Sequence, residues 1–154
     1  MAAVDTRRER FEQLVGVVHD PLMRYVRRRV PASDADDVMG DVLLTLWRRL
    51  DDVPGIEPMP WCYAAARRVL ANHRRSGVRR LRLVERLQAE PAAIVDQGAA
   101  QEHPELAAAL ESLSDAEREV IVLWAWEGLE PRQIATGLET NANAISLRLT
   151  RAKK

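Results

Sequence analysis

Apolar positions recur along this chain at spacings of three and four, as in helices that bury one face. Phe11, Leu14, Val15, Val18, Leu22, Tyr25 and Val26 form the first such run. Asp20-Pro21 lies inside it and predicts a break or restart, because proline fits best in a helix's first turn. Val30-Pro31 ends the segment. Ser33 is the expected N-cap of a second helix, with aspartates in its first turn, running to Leu50. Along it Met39, Val42, Leu43, Leu46, Trp47 and Leu50 share one broad face, expected in the core. Three prolines and a glycine between Asp51 and Pro60 predict a loop. A third helix is expected from Trp61 to Ser76, with an arginine-rich extension to Leu87.

Residues 88–103, QAEPAAIVDQGAAQEH, lose the periodicity and read as a linker. Short helices are expected over 104–111, 114–126, 130–138 and 141–153. Ser114 precedes Glu117 by three residues, a capping-box spacing, just before the apolar run Val120 to Leu123. Pro131 suits a first helical position. The last two helices, with a short turn between them, form a helix-turn-helix pattern. No strand pattern and no internal repeat stands out. The expected fold class is all-α: two small helical domains joined by a linker, the second containing the helix-turn-helix.

Composition narrows the classes. A chain of 154 residues has room for one domain or two small ones. At 47% hydrophobic and 30% charged, it is too apolar for complete disorder and too charged for a membrane-embedded protein. No apolar run is long enough to span a bilayer, and the first ten residues lack a signal peptide's apolar core. A cytoplasmic protein with no membrane insertion is expected. One cysteine, Cys62, excludes an internal disulfide framework and any multi-cysteine zinc site.

The formal net charge is zero, which taken alone argues against a nucleic-acid partner. The distribution reverses that argument. Residues 1–87 carry 17 arginines against 12 carboxylates, net +5, and residues 88–154 carry 6 basic groups against 11 acidic, net −5. Arg67 to Arg86 alone holds 8 arginines and one glutamate. The neutral total conceals a basic patch.

Opposite the core face of the second helix lie Asp34, Asp37, Asp41, Arg48 and Leu44. This is either a solvated face or a surface for a basic protein partner, and a leucine among carboxylates favours the second. In the third helix Arg67, Arg68, Arg74, Arg75, Arg79 and Arg80 are too many for one core to pair. With Asn72 and His73 they suit phosphates and exposed bases. A solvated basic helix pairing with the acidic half of the chain is the alternative. Trp61 and Tyr63 read as core before base-stackers.

In the last helix Ala142, Ile145, Leu149 and Ala152 share an inner face, and Asn143, Ala144, Leu147, Arg148 and Arg151 face outward. Small and polar residues near its N-terminus let the backbone enter a major groove, and arginines reach guanine edges or phosphates. Arg132 and Gln133 suit contacts from the supporting helix. Structural helices at a protein interface remain the alternative. Catalysis has little support: His19, His73 and His103 are scattered, and no HExxH, GxxxxGK[ST] or GxSxG occurs. Cys62 reads as a packing residue. The carboxylates Asp34, Asp36, Asp37 and Asp41 lack a histidine or an ordered loop spacing for a metal. No catalytic residue, metal, cofactor or small-molecule substrate is expected.

Three segments, in this order, resemble an ECF (extracytoplasmic function) sigma factor of bacterial RNA polymerase. DADDVMGDVLLTLWRRL (34–50) resembles the family's clamp-binding helix, and PWCYAAARRVLANHRRSGVRR (60–80) its promoter-melting and −10-reading helix. LESLSDAEREVIVLWAWEGLEPRQIATGLETNANAISLRLTRAKK (110–154) resembles its −35-reading domain. The resemblance implies a region 2-like domain over 1–87, a linker over 88–103 and a region 4-like domain over 104–154. It implies binding to core RNA polymerase through the beta-prime clamp helices and the beta flap, recognition of promoter DNA, and control by an anti-sigma factor. It implies no enzymatic activity.

Asp37 and Asp41 match the family's acidic clamp-binding positions, and Leu44 lies on their stripe. Arg67, Asn72, His73, Arg74, Arg75, Arg79 and Arg80 fall on the −10 helix. Arg132, Gln133, Asn141, Asn143, Ala144, Leu147, Arg148 and Arg151 fall on the −35 reader. Arg118 falls on a family arginine for which a structural ion pair is expected. The sequence departs from the family at Gly40 (commonly glutamine), Arg68 (asparagine), Asn143-Ala144 (Gly-Thr) and Leu147 (serine). Glu139 replaces a turn glycine, so another backbone shape is expected there. Two other readings stand beside this one: a helix-turn-helix regulator acting without core polymerase, and a sigma-like protein-interaction module.

Overall fold

The structure, a computed structural model, describes residues 2–84 and 103–154, with side chains described from 5 to 77 in the first stretch. All regular structure among the described residues is helical. The elements are α1 (Ala2–Arg27), α2 (Ala32–Arg48), α3 (Pro58–Val84), α4 (Pro104–Glu111), α5 (Asp115–Ala125), α6 (Pro131–Gly137) and α7 (Ala142–Ala152). A 3-10 turn, Leu50–Asp52, follows α2. The chain divides into two compact units, 1–94 and 95–154. The expected linker, apart from His103, lies outside the described residues.

In the first unit α1, α2 and α3 pack against one another. Val18, Leu22, Tyr25 and Val26 meet Val38, Val42 and Leu46 of α2 and Cys62, Ala66 and Leu70 of α3 in the core. The buried face of α2 is turned further toward its start than the periodicity predicts. Ala35 and Val38 are buried with Met39, Val42 and Leu46, while Leu43 and Trp47 are half-buried. Phe11 meets the Trp47 ring edge-on, with centroids 5.2 Å apart.

Three expected boundaries move, each for a physical reason. The break at Asp20-Pro21 does not occur, and α1 runs through Pro21. Breaking the ladder there costs about 3 kcal/mol. Val18 on one side and Leu22, Tyr25 and Val26 on the other are nearly inaccessible, and each buried side chain contributes about 1.5–3 kcal/mol. Ser33 is not the N-cap of α2: Pro31 holds that position with φ −57° and ψ 151°, and Ser33 lies within the first turn. Helix α3 begins at Pro58, not Trp61. Pro58 and Pro60 both fall in its first turn, where backbone N–H groups have no helical partner to lose.

The start of α1 also fastens the end of α2. Arg7 donates to the Trp47 carbonyl, lies 4.9 Å over the Trp47 ring and pairs with Asp51 at 3.4 Å. Arg10 pairs with Asp51 at 3.2 Å and donates to the Leu50 carbonyl at 3.3 Å. Carbonyls in a helix's last turn lack helical donors, and Arg7 supplies one to Trp47 O; the Leu50 carbonyl, in the 3-10 turn, accepts from the Val53 N–H at 3.2 Å as well as from Arg10.

In the second unit α5, α6 and α7 pack together around Val120, Leu123, Leu129, Ile134, Ile145 and Leu149. Side chains cap two helices, at Ser114 as the sequence suggests and at Asn141, for which no cap is expected from the sequence. The Glu117 N–H donates to Ser114 Oγ at 3.2 Å, and the Ala144 N–H to Asn141 Oδ1 at 2.9 Å. At α6 a glutamate takes the same role: Glu130 and Gln133 form a reciprocal capping box. Gly128 turns the chain from α5 toward α6 with φ +67°.

Arg118 makes the expected ion pair, with Asp115 at 3.6 Å, and its guanidinium also serves carbonyls at and just beyond the end of α4: Nε donates to Leu110 O at 2.8 Å, and Nη2 to Glu111 O and Leu113 O at 3.2 Å. The turn at Glu139 departs from expectation. It keeps the left-handed shape a glycine would take, with φ +57°. The Thr140 N–H bonds Ala135 O at 2.9 Å and the Glu139 N–H bonds Thr136 O at 3.3 Å, the two bonds of a Schellman motif.

Candidate nucleic-acid and protein interfaces

Helix α2 presents its outer stripe to solvent. Asp37 and Asp41 are exposed, and Leu44, one turn further, is 43% exposed. Among the described residues no ion pair holds either aspartate. Spacings of four and three put all three on one line of the helix. Asp34 does not belong to this stripe as expected. It is half-buried and turned toward α3, where the His73 Nε2 lies 3.6 Å from its Oδ2. Among the described residues no three His, Cys, Asp or Glu side chains gather as a metal cage.

Helix α3 carries the basic face. Arg67, Arg68, Asn72, Arg74 and Arg75 are exposed along it. Arg75 Nη2 donates to Asn72 Oδ1 at 2.9 Å and Nε to Ala71 O at 3.4 Å, which lays the guanidinium along the helix. His73 sits apart on the flank that meets α2. Arg79 and Arg80 lie on α3, but their side chains are outside the described residues. Tyr63 is buried against Tyr25, with ring centroids 5.1 Å apart. Trp61 is half-buried beneath the Arg49 guanidinium at 5.3 Å. Cys62 is fully buried, and desolvation pushes its thiol up to about 12, which removes the thiolate a nucleophile needs. At the mouth of α3 the loop holds Ile56, 87% exposed, beside Glu57 with φ +53°. Helical periodicity has no reach over such a loop residue.

Helix α7 shows a face rotated from the one the sequence suggests. Asn143, Leu147 and Arg151 are exposed as expected, while Ala144 and Arg148 are half-buried on the flank. Ser146 and Thr150, which the sequence reading passed over, complete the outer surface; they sit three residues from Asn143 and Leu147 in turn. Thr150 Oγ1 donates back to Ser146 O at 2.9 Å. Asn141 and Gln133 are partly committed to structure, one capping α7 and the other accepting from the Glu130 N–H at 2.9 Å. Arg132 is exposed, 3.8 Å from Glu130. Residues 103–140 carry eight carboxylates and two arginines, whereas 141–154 carry two arginines, two lysines and no carboxylate. The positive end of this acidic unit is its last helix.

Residues 14–80 match the family described as Sigma-70 region 2, and residues 103–154 match Sigma-70, region 4. The chain belongs to the sigma-70 family. Only residues 81–102 separate the matched segments, the arrangement of the ECF group that the sequence resembles. This sigma factor is 27% identical over 133 residues to RNA polymerase sigma factor NccH of Alcaligenes xylosoxydans xylosoxydans, covering 80% of this chain and 72% of the relative. Its fold is similar to CnrH, solved in complex with the cytosolic domain of CnrY, with TM-score 0.64 and 26% identity over 93% of this chain and 82% of that one. It is also similar to the sigma factor RpoE of Bartonella quintana, solved with the anti-sigma factor NepR. There the TM-score is 0.71 and the identity 23%, over 93% of this chain and 91% of the other.

A sigma factor binds core RNA polymerase and directs it to promoters. The region 2 match runs through both the acidic stripe and most of the arginine helix. A regulator working without core polymerase is therefore not favoured. Among the described residues no helix is long and apolar enough to cross a membrane.

Proposed function

We propose that the two outer faces of the first unit divide the work of initiation. Asp37, Asp41 and Leu44 on α2 dock on the beta-prime clamp helices of core polymerase. Arg67, Asn72, Arg74, Arg75, Arg79 and Arg80 on α3 meet the −10 DNA, with His73 at its flank. Residues 1–87 serve as the core-binding and −10 domain, 88–103 as linker, and 104–154 as the −35 domain that also meets the beta flap. In that domain Arg132, Gln133, Asn141, Asn143, Ala144, Leu147, Arg148 and Arg151 face the promoter. The protein acts in the cytoplasm and catalyses no reaction of its own.

The separation of α2 from α3 carries this reading. One compact unit presents an acidic, leucine-bearing stripe on one helix and exposed arginines on another. Acidic faces attract basic protein and repel DNA, so the two partners are sorted by sign. An anti-sigma factor that competes with the polymerase for these surfaces fits the complex of RpoE with the anti-sigma factor NepR.

Run-off transcription with purified core enzyme tests the proposal. The full chain is expected to support promoter-dependent transcripts. Charge reversal at both Asp37 and Asp41 is expected to weaken core binding. Equal affinity of the double variant for core polymerase would remove the clamp assignment.

A further inference from the structure

Leu147 is the one large apolar side chain on the outer face of α7 and is 60% exposed there. Its neighbours on that face are Asn143, Ser146, Thr150 and Arg151. It is not a misplaced core residue, since Ile145 and Leu149 fill the inner face and are buried. Nor is it part of a broad apolar patch on this helix that would mark a protein partner: its exposed neighbours there are polar, and the apolar one, Ala144, is small and half-buried. The surrounding charge selects a polyanion: the last 14 residues hold four cations and no carboxylate, while the rest of the unit is acidic.

A helix in the major groove meets one apolar feature on the base edges, the C5 methyl group of thymine. Leu147 lies in the second turn of α7, within reach of base edges once the capped N-terminus enters the groove. We infer that Leu147 reads a thymine methyl group in the −35 element, a specificity contact made by burying the methyl and not by a hydrogen bond. The inference rests on the −35 role proposed for this helix. It assigns the polar part of the readout to Asn143 and Arg151 on either side.

Deoxyuridine lacks only that methyl group, so it isolates the contact. Holoenzyme assembled from the full chain and core polymerase is used to select from promoter duplexes randomised across the −35 segment. The wild-type chain is expected to enrich thymine at one position on one strand, and Leu147→Ser to lose the preference there alone. Replacing that thymine with deoxyuridine is expected to weaken wild-type binding about fourfold, the worth of one buried methyl group, and to leave Leu147→Ser unaffected. Leu147→Met, which stays apolar, should keep the sensitivity. A wild-type response to deoxyuridine that is flat, or an equal loss in Leu147→Ser, overturns the inference while the −35 role stands. Selection that yields no −35 preference at all, unchanged by Arg148→Ala or Arg151→Ala, overturns the −35 role and this inference together.

Discussion

Cys62 sits where α3 meets the core of the first unit, and burial alone moves its thiol up to about 12. The consequence for stability has a definite sign. Below the ordinary thiol value both folded and unfolded chains hold the proton, and the residue adds no pH dependence. Above it the unfolded chain releases the proton and the folded chain keeps it, so stability falls as pH rises toward 12. The slope from this group is at most about 1.4 kcal/mol per pH unit. Thermal melts of the chain and of Cys62→Ala should therefore diverge between pH 8 and pH 10, with the variant less sensitive. Parallel curves would mean that the thiol is not shielded. Glu139 makes the opposite point: here backbone geometry overrides residue preference. A non-glycine residue in the left-handed region costs about 1–2 kcal/mol, and a β-branched one suffers most. Glu139→Gly should melt above Glu139→Val by about that amount, and equal melting points would show that the turn has relaxed to another shape.

Helix ends decide how these elements meet, and Arg118 carries one of them. Its side chain is 13% exposed, and its guanidinium holds three carbonyls at and just beyond the end of α4. Arg118→Met keeps the chain length and removes the donors, so carbonyls in a part-buried site lose their partners. The expected loss is about 1.5–3 kcal/mol. Amide exchange in α4 should rise well before that of α1–α3, and unchanged α4 protection would argue that water replaces the guanidinium. The sequence carried the helices themselves well, because a repeating apolar face is a local property that burial then enforces. All four helices of the second unit lie within about one residue of their expected bounds. What it did not carry are choices made by tertiary contact. The pull of Val18 and Leu22 keeps α1 unbroken at Pro21, and Asp34 leaves its stripe for His73 on another helix. The same limit applies to the outer faces. An ideal wheel put Arg148 outward and ignored Thr150, because the rotation of α7 is set by how Ile145 and Leu149 seat against α5 and α6.

At the scale of the whole molecule the charges cancel, and the cancellation has a functional consequence. Residues 1–87 carry +5 and residues 88–154 carry −5, so a distant duplex feels little net attraction toward the free chain. Phosphate neutralisation supplies most non-specific DNA affinity, and each neutralised phosphate adds about 0.9 to the salt slope of binding. The chain directs its arginines outward on α3 and its aspartates outward on α2. If the proposed clamp contact covers Asp37 and Asp41, their repulsion of DNA is removed and the basic face of α3 is left to act. The isolated chain should therefore bind a promoter duplex far more weakly than the holoenzyme does. In the holoenzyme, replacing Arg74 or Arg75 with alanine should lower the slope of log K against log salt by about 1 each. Asp36 is exposed on the same helix as the clamp stripe and outside it, so Asp36→Asn should leave that slope unchanged. Anisotropy titrations between about 50 and 200 mM salt give both quantities. Free-chain affinity equal to that of holoenzyme would overturn the sorting of partners by charge, and a slope indifferent to both arginines would move the −10 contacts off α3.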